Sequence, residues 1–443
     1  MSHRVVRRAL ALLAFLAGWL VLTAAPASAH VEIVSVTPGD GARLTAAPAQ
    51  VSVTLSENIG VQPGSLKVVD TRGEAVDTGP VFQPGDDAEQ VAVRLRPGLP
   101  EGSYLVEYAF VSADSHPVRG TFAFVVGTGP LITSAGAVAA ATGTDAVVDV
   151  LSTAVRWVSY GAVVLLGGLV FLQVCRPAGR TDPRARRPLR WGAGLTVATA
   201  IATLLLQGPY AAGRGLAAVA DPGLLADTLR LSYGKLLLVR VAAAVALAVL
   251  IPRLLRAGDA ERLRGRYENL AMITGFAVLL SFSATGHPVT DPVMYFSVSA
   301  DLVHLGAIAV WVGGLTQLAL VLHRPPPGED LGPVAARFSR LAMAAVTAIG
   351  LSGLVLAIRL LPELPALWTT TYGWLLLAKS AGFAALLAVA NTARRAVRRS
   401  LPEPGDTAVL TIRRLRRAVT TEAALATLVL LLAAVLTATP PGG

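Results

Sequence analysis

The chain has 443 residues, 53% of them hydrophobic and only 15% charged, with a single cysteine. So apolar a composition excludes an ordinary soluble protein of this size, and Cys175 alone excludes both a disulfide framework and an all-thiolate metal centre. The net charge of +10 suggests nucleic acid until it is mapped: residues 30–130 carry 12 acids against 6 bases, while the positive charge sits in short segments between apolar runs, a pattern of membrane orientation rather than nucleic-acid binding.

The first 29 residues read as a secretory signal. Arg4, Arg7 and Arg8 form a basic front, an apolar run extends from Ala9 to Leu22, and Ala27-Ser28-Ala29 is the small-residue pattern of a cleavage site. Cleavage after Ala29 makes His30 the first residue of a mature chain that starts outside the cytoplasm.

Residues 30–127 alternate apolar with polar residues in short stretches such as "AQVSVTLSENI", "EQVAVRLRPGL", "GSYLVEYAFVSAD" and "RGTFAFVVG". Pro and Gly clusters separate them, so the spacing predicts an all-β sandwich or barrel. The Gly/Ala/Thr-rich segment 128–150 reads as a linker.

Residues 151–440 hold eight apolar runs, near 152–174, 190–212, 231–251, 269–285, 296–320, 338–360, 374–393 and 418–438. Each is long enough, or nearly so, to span a bilayer as a helix. The odd-numbered connections are rich in arginine (Arg176 to Arg187, Arg253 to Arg266, Arg324 and Arg337, Arg394 to Arg417), and the even ones are almost free of bases. Odd connections therefore face the cytoplasm. The prediction is a multi-pass protein of the plasma membrane with its β domain and its carboxyl terminus both extracytoplasmic. A faint internal echo joins "SYGKLLLVRVAAAVALAVL" at 232 to "TYGWLLLAKSAGFAALLAV" at 371, each with a base seven residues after the tyrosine, Arg240 and Lys379.

Histidines carry the chemistry. A mature amino-terminal His30 offers its α-amine and imidazole Nδ1 to one ion in a single chelate ring. The amine loses its proton more readily than a lysine does, and nitrogen ligands in tetragonal geometry suit Cu(II). In "VSADSHPVRG", Asp114 and His116 are two residues apart, which on a strand places them on one face. His30, Asp114 and His116 together supply three nitrogens and one oxygen. Glu57 is placed to accept a hydrogen bond from an imidazole N–H in a supporting role.

With these residues in view, 30–127 resembles the CopC family of copper-binding proteins, through the terminal histidine, "SVTPGDGARL", "VTLSENI" and "VSADSHPVRGTFAFVV". Residues 151–440 are similar to the CopD family of copper-resistance membrane proteins, through "GHPV", "DLVHLGAIAVWVGGL", "RFSRLA" and "YGWLLLAK". The resemblance implies an immunoglobulin-like sandwich, a Cu(II) site at His30, Asp114 and His116, and a copper-uptake role for the fused chain. Some CopC proteins carry a second, methionine-rich Cu(I) site; none of the four methionines lies in 30–127, so none is expected here.

In the helical part, His287 ends the fourth run. His304 lies two turns into the fifth, with Asp301 one turn before it on the same face. Ionisable groups inside a span mark pathways, so His287, Asp301 and His304 form a candidate copper relay, with Met294, expected in the loop between them, as an extra ligand. The competing use of His304 is a structural hydrogen bond to a neighbouring helix. Copper and the lipid bilayer are the expected partners, with no catalytic activity. Three other readings are copper binding or sensing without transport, a haem protein using His287 and His304, and a copper monooxygenase built on the terminal histidine.

Overall fold

The computed structural model describes residues 33–56, 65–87, 89–111, 117–131, 145–256, 261–285, 293–361 and 364–400, together with Val429 and Leu436. Its first part is built from strands: β1 (Ile33–Thr37), β2 (Arg43–Leu44), β3 (Gln50–Leu55), β4 (Leu66–Val69), β5 (Asp77–Phe82), β6 (Gln90–Leu95), β7 (Gly102–Val111) and β8 (Pro117–Val126). They form two four-stranded sheets, β1-β3-β6-β5 and β2-β8-β7-β4. Every pairing is antiparallel except the short β2–β8 contact.

The period-two pattern decides what lies between the sheets. Val51, Val53, Val91 and Val93 of the first sheet and Val68, Val106, Phe110 and Phe124 of the second are fully buried. Each such side chain contributes about 1.5–3 kcal/mol over its exposed state. Tyr104 stacks on Phe124 at 5.4 Å between centroids, and its hydroxyl donates to the Pro100 carbonyl at 2.8 Å. The aromatic residues of this part thus serve mainly its interior.

Connection lengths fix which strand ends lie together. β1 ends at Thr37, and after five residues β2 begins at Arg43, paired with Val125 at the Gly102–Val126 end of the β7–β8 hairpin. The opposite ends, Ile33 paired with Leu55 in one sheet and Val111 paired with Pro117 in the other, therefore share the other end of the sandwich.

From Asp145 onward the chain is helical: α1 (Ala146–Val174), α2 (Pro183–Ala212), α3 (Pro222–Arg230), α4 (Ser232–Arg256), α5 (Glu261–Ser283), α6 (Met294–His323), α7 (Gly332–Leu360), α8 (Ala366–Thr369) and α9 (Thr371–Ser400). The Asp145 carboxylate accepts from the Val147 and Val148 N–H groups, both at 3.0 Å, which starts α1 inside the segment expected as a linker. Among the described residues, six helices are long and apolar enough to cross a membrane: α1, α2, α4, α6, α7 and the Thr371–Ala388 part of α9. The fourth expected run lies in α5, whose opening turns carry Arg262, Arg264, Arg266 and Glu268 and so shorten its apolar stretch. The eighth, 418–438, lies outside the described residues apart from Val429 and Leu436.

Small residues let these helices touch. A β-carbon at Gly167 of α1 would fall on the Ala309 carbonyl of α6, and one at Gly313 of α6 would fall on the Val164 carbonyl of α1. This crossing pairs "GAVVLLGGL" from Gly161 with the similar "GAIAVWVGGL" from Gly306. The echo between 232 and 371 also has a structural counterpart. Each long helix follows a short one, and Gly234 and Gly373 lie against the Thr228 and Ala366 carbonyls of those short helices.

Candidate functional site

His304 is the eleventh residue of α6 and is 8% exposed. Its Nδ1 stands 3.0 Å from the Ser352 hydroxyl on α7. That hydroxyl lies 2.6 Å from the Ala348 carbonyl, the geometry of an i to i−4 bond in which the hydroxyl donates. With the Ser352 hydrogen so used, the network assigns the imidazole proton to Nδ1, which donates to Ser352. Nε2 then bears the lone pair that a metal ion would take. The structural use of His304 is therefore realised, and it is compatible with ligation because it engages the other nitrogen. Gly353 makes room for the ring: a β-carbon there would lie 3.2 Å from Cε1.

Asp301 precedes His304 by one turn on α6 and is partly buried. Two residues of α9 act on this pair. Tyr372, 4% exposed, interacts electrostatically with Asp301. Lys379 interacts with both Asp301 and His304. Neither Ser352, Tyr372 nor Lys379 is among the sequence-derived ligands; only the Lys379 position is marked in advance, by the echo with Arg240.

Met294 differs from expectation. It is the first residue of α6 rather than part of a loop, ten residues before His304. At about 1.5 Å of rise per residue the two are roughly 15 Å apart along the axis, so Met294 and His304 do not bind one ion together. The difference arises because the apolar run that marks the helix begins two residues later than the helix does. Among the described residues no group of three His, Cys, Asp or Glu side chains converges. His30, Glu57, Asp114, His116 and His287 lie outside the described residues. His323, at the end of α6, is exposed, with Nδ1 2.8 Å from the Ala319 carbonyl.

Arg240, the counterpart of Lys379, occupies a different setting. It is 5% exposed. Its Nε donates to the Ser281 hydroxyl at 3.0 Å, and Nη2 donates to the Ser281 carbonyl at 2.6 Å and the Thr285 hydroxyl at 2.8 Å. The guanidinium carbon lies 3.9 Å from the Phe282 ring centroid. The planar donor fork matches several fixed acceptors at once, so Arg240 braces α4 against α5.

A third charged cluster joins two connections. The buried Arg176, after α1, donates to both Glu329 oxygens at 2.9 and 2.7 Å and to Asp182 at 3.2 Å. Glu329 precedes α7, so the guanidinium ties the α1–α2 connection to the α6–α7 connection. Hydrogen bonding to Arg176 holds the Glu329 carboxyl below its ordinary range. Burial pushes the Asp182 carboxyl up, but bonds from the Arg184 N–H and from Arg176 outweigh it and leave that carboxyl lowered as well.

Comparison with known proteins covers most of the chain. Residues 33–127 match the CopC domain, 147–292 the copper resistance protein D-like N-terminal domain, and 332–436 copper resistance protein D. The chain is 29% identical to the copper transport protein CutJ of Bacillus subtilis (strain 168), over 83% of this chain and 68% of that protein. It is 34% identical to copper resistance protein C of Pseudomonas syringae pv. tomato, over 25% of this chain and 90% of that protein. With copper resistance protein D of the same organism it shares 31% identity, over 56% of this chain and 82% of that protein.

Proposed function

Because the chain belongs to the CopC and CopD families, fused in one polypeptide and related to copper transport and resistance proteins, we propose that it captures Cu(II) outside the cell and passes copper to its helical part for import. Removal of the signal segment 1–29 exposes His30. The His30 amine and imidazole, His116 and Asp114 form a tetragonal Cu(II) site, and Glu57 steadies an imidazole. The sandwich of residues 30–127, of immunoglobulin-like type, mounts this site; segment 128–145 leads to the eight-helix membrane domain, whose first helix starts at Ala146. The shared sandwich end supports this reading, since Ile33, Leu55, Val111 and Pro117 are the paired strand residues nearest in sequence to His30, Glu57, Asp114 and His116.

In the membrane domain, His287, Asp301 and His304 pass copper inward, and Met294 serves as an earlier station rather than a co-ligand. The orientation of His304 supports this role, because its Nδ1 is occupied by Ser352 and its Nε2 is left to a metal. The arginine-rich odd connections support an orientation with both chain ends outside the cell. No catalytic role is assigned to any residue.

The observation that carries the proposal is the order of domains, a CopC match directly ahead of two CopD matches in one chain. Copper accumulation under scarcity tests it, in cells carrying wild type, His30→Ala or His304→Ala in place of a deletion. Both substitutions are expected to reduce accumulation to the deletion level. Accumulation that rises on deletion contradicts import and favours copper storage or resistance, the role that the names of two relatives suggest.

A further inference from the structure

The relay holds a cation of its own. Lys379 lies one turn before Phe383 on α9, and the Phe383 ring meets Trp311 of α6 edge-on at 6.1 Å between centroids. Trp311 is two turns beyond His304 on α6. This contact turns the Lys379 face of α9 toward the Asp301–His304 face of α6, in agreement with the electrostatic action of the ammonium on both residues.

The contrast with Arg240 shows what Lys379 lacks. Arg240 is fixed by three hydrogen bonds and a ring. Lys379, at the equivalent place in the sequence echo, makes no hydrogen bond and no close ion pair among the described residues. A half-buried cation on an apolar helix without such bonds does not stabilise the fold as Arg240 does, and its electrostatic reach to a carboxylate and an imidazole points to function.

The charges set the consequence. Asp301 and Lys379 cancel, and His304 adds a neutral imidazole. A monovalent ion entering between Asp301 and His304 leaves the cluster at one positive charge and a divalent ion leaves it at two; because Lys379 cancels the pull of Asp301, the divalent ion gains no surplus attraction to offset its larger desolvation cost. Surroundings of low dielectric enlarge that difference. We infer that Lys379 determines the charge of the cargo, so that the Asp301–His304 site admits a monovalent copper-group cation, Cu(I) or its redox-inert mimic Ag(I), and rejects divalent ions. Copper captured as Cu(II) then takes up one electron from an external donor of the thiol or ascorbate class before it enters; the donor is oxidised and the ion reduced. The inference rests on the reading of Asp301 and His304 as a passage site.

Full-length protein in liposomes separates the two, with Ag(I) and Ni(II) supplied outside and entry of each measured. Wild type is expected to pass Ag(I) and to hold Ni(II) at background. Lys379→Met should raise Ni(II) entry relative to Ag(I) by at least about tenfold, and Lys379→Arg should bring the ratio back toward wild type. Lys379→Gln replaces the methionine variant if that one does not fold. If His304→Ala abolishes Ag(I) entry while neutralising Lys379 leaves the ratio unchanged, the role of Lys379 is overturned and the passage site stands. Ag(I) entry that is absent in wild type, or undiminished in His304→Ala, overturns the passage site and the inference together.

Discussion

The Ser352 hydroxyl stands 3.0 Å from Nδ1 of His304 while lying 2.6 Å from the Ala348 carbonyl that takes its hydrogen. Ser352 thereby selects the histidine tautomer and leaves Nε2 unprotonated. Ser352→Ala removes the acceptor and leaves a buried N–H unmatched, at about 1 kcal/mol for a neutral pair. Copper accumulation by that variant should fall roughly fivefold, less than for His304→Ala, and Ser352→Thr should retain most of it. Wild-type accumulation by Ser352→Ala would remove Ser352 from the account.

The α1–α6 crossing makes a prediction about stability. Gly313 and Gly167 each face a carbonyl of the other helix, so a methyl group at either forces the helices apart. Gly313→Ala should cost about 1–3 kcal/mol, as overpacking does, and lower Tm in detergent. Gly350, in α7, has nothing within 4 Å of its β-carbon position. Gly350→Ala should be neutral or stabilise by about 0.5–1 kcal/mol through helix propensity. Equal effects at the two positions contradict the described packing.

These two sites show what was legible from the chain. Strand alternation in segments such as "QVSVTL" and "QVAVRL" marks the sandwich, because one face of each strand must be apolar. Uncharged runs mark the helices for the same reason. That Asp301 and His304 share one face of a helix was legible, because one helical turn joins them. Ser352 and Lys379 were not, because their relation to His304 crosses between helices 48 and 75 residues away, a matter of packing that leaves no local pattern. In the sequence Arg176 is one of many loop arginines that mark orientation. Only its burial between Asp182 and Glu329 distinguishes it. The start of α1 was hidden by small residues, and the Asp145 cap reveals it.

The Arg176 clasp predicts a dependence on pH. Glu329 and Asp182 have lowered carboxyl pKa values in the folded protein. A carboxyl lowered on folding stabilises above its unfolded value, about 4, and the contribution is lost as pH falls through the folded value. Tm in detergent should therefore be insensitive to this clasp's titration above about pH 5 and decline below about pH 4. Arg176→Ala should lower Tm at neutral pH by the equivalent of about 2 kcal/mol, since both acids remain partly exposed. It should also weaken the acid-induced decline. A variant with wild-type Tm and an unchanged acid profile contradicts the clasp.

Capture by a terminal histidine is the central claim, and electron paramagnetic resonance of the mature full-length protein with one equivalent of Cu(II) tests it most directly. A tetragonal signal with nitrogen coupling is predicted. Acetylation of the mature α-amine keeps the imidazole but removes the amine from the chelate, and this should shift the signal and weaken binding by at least about tenfold. An identical signal and affinity in the acetylated protein would contradict the account.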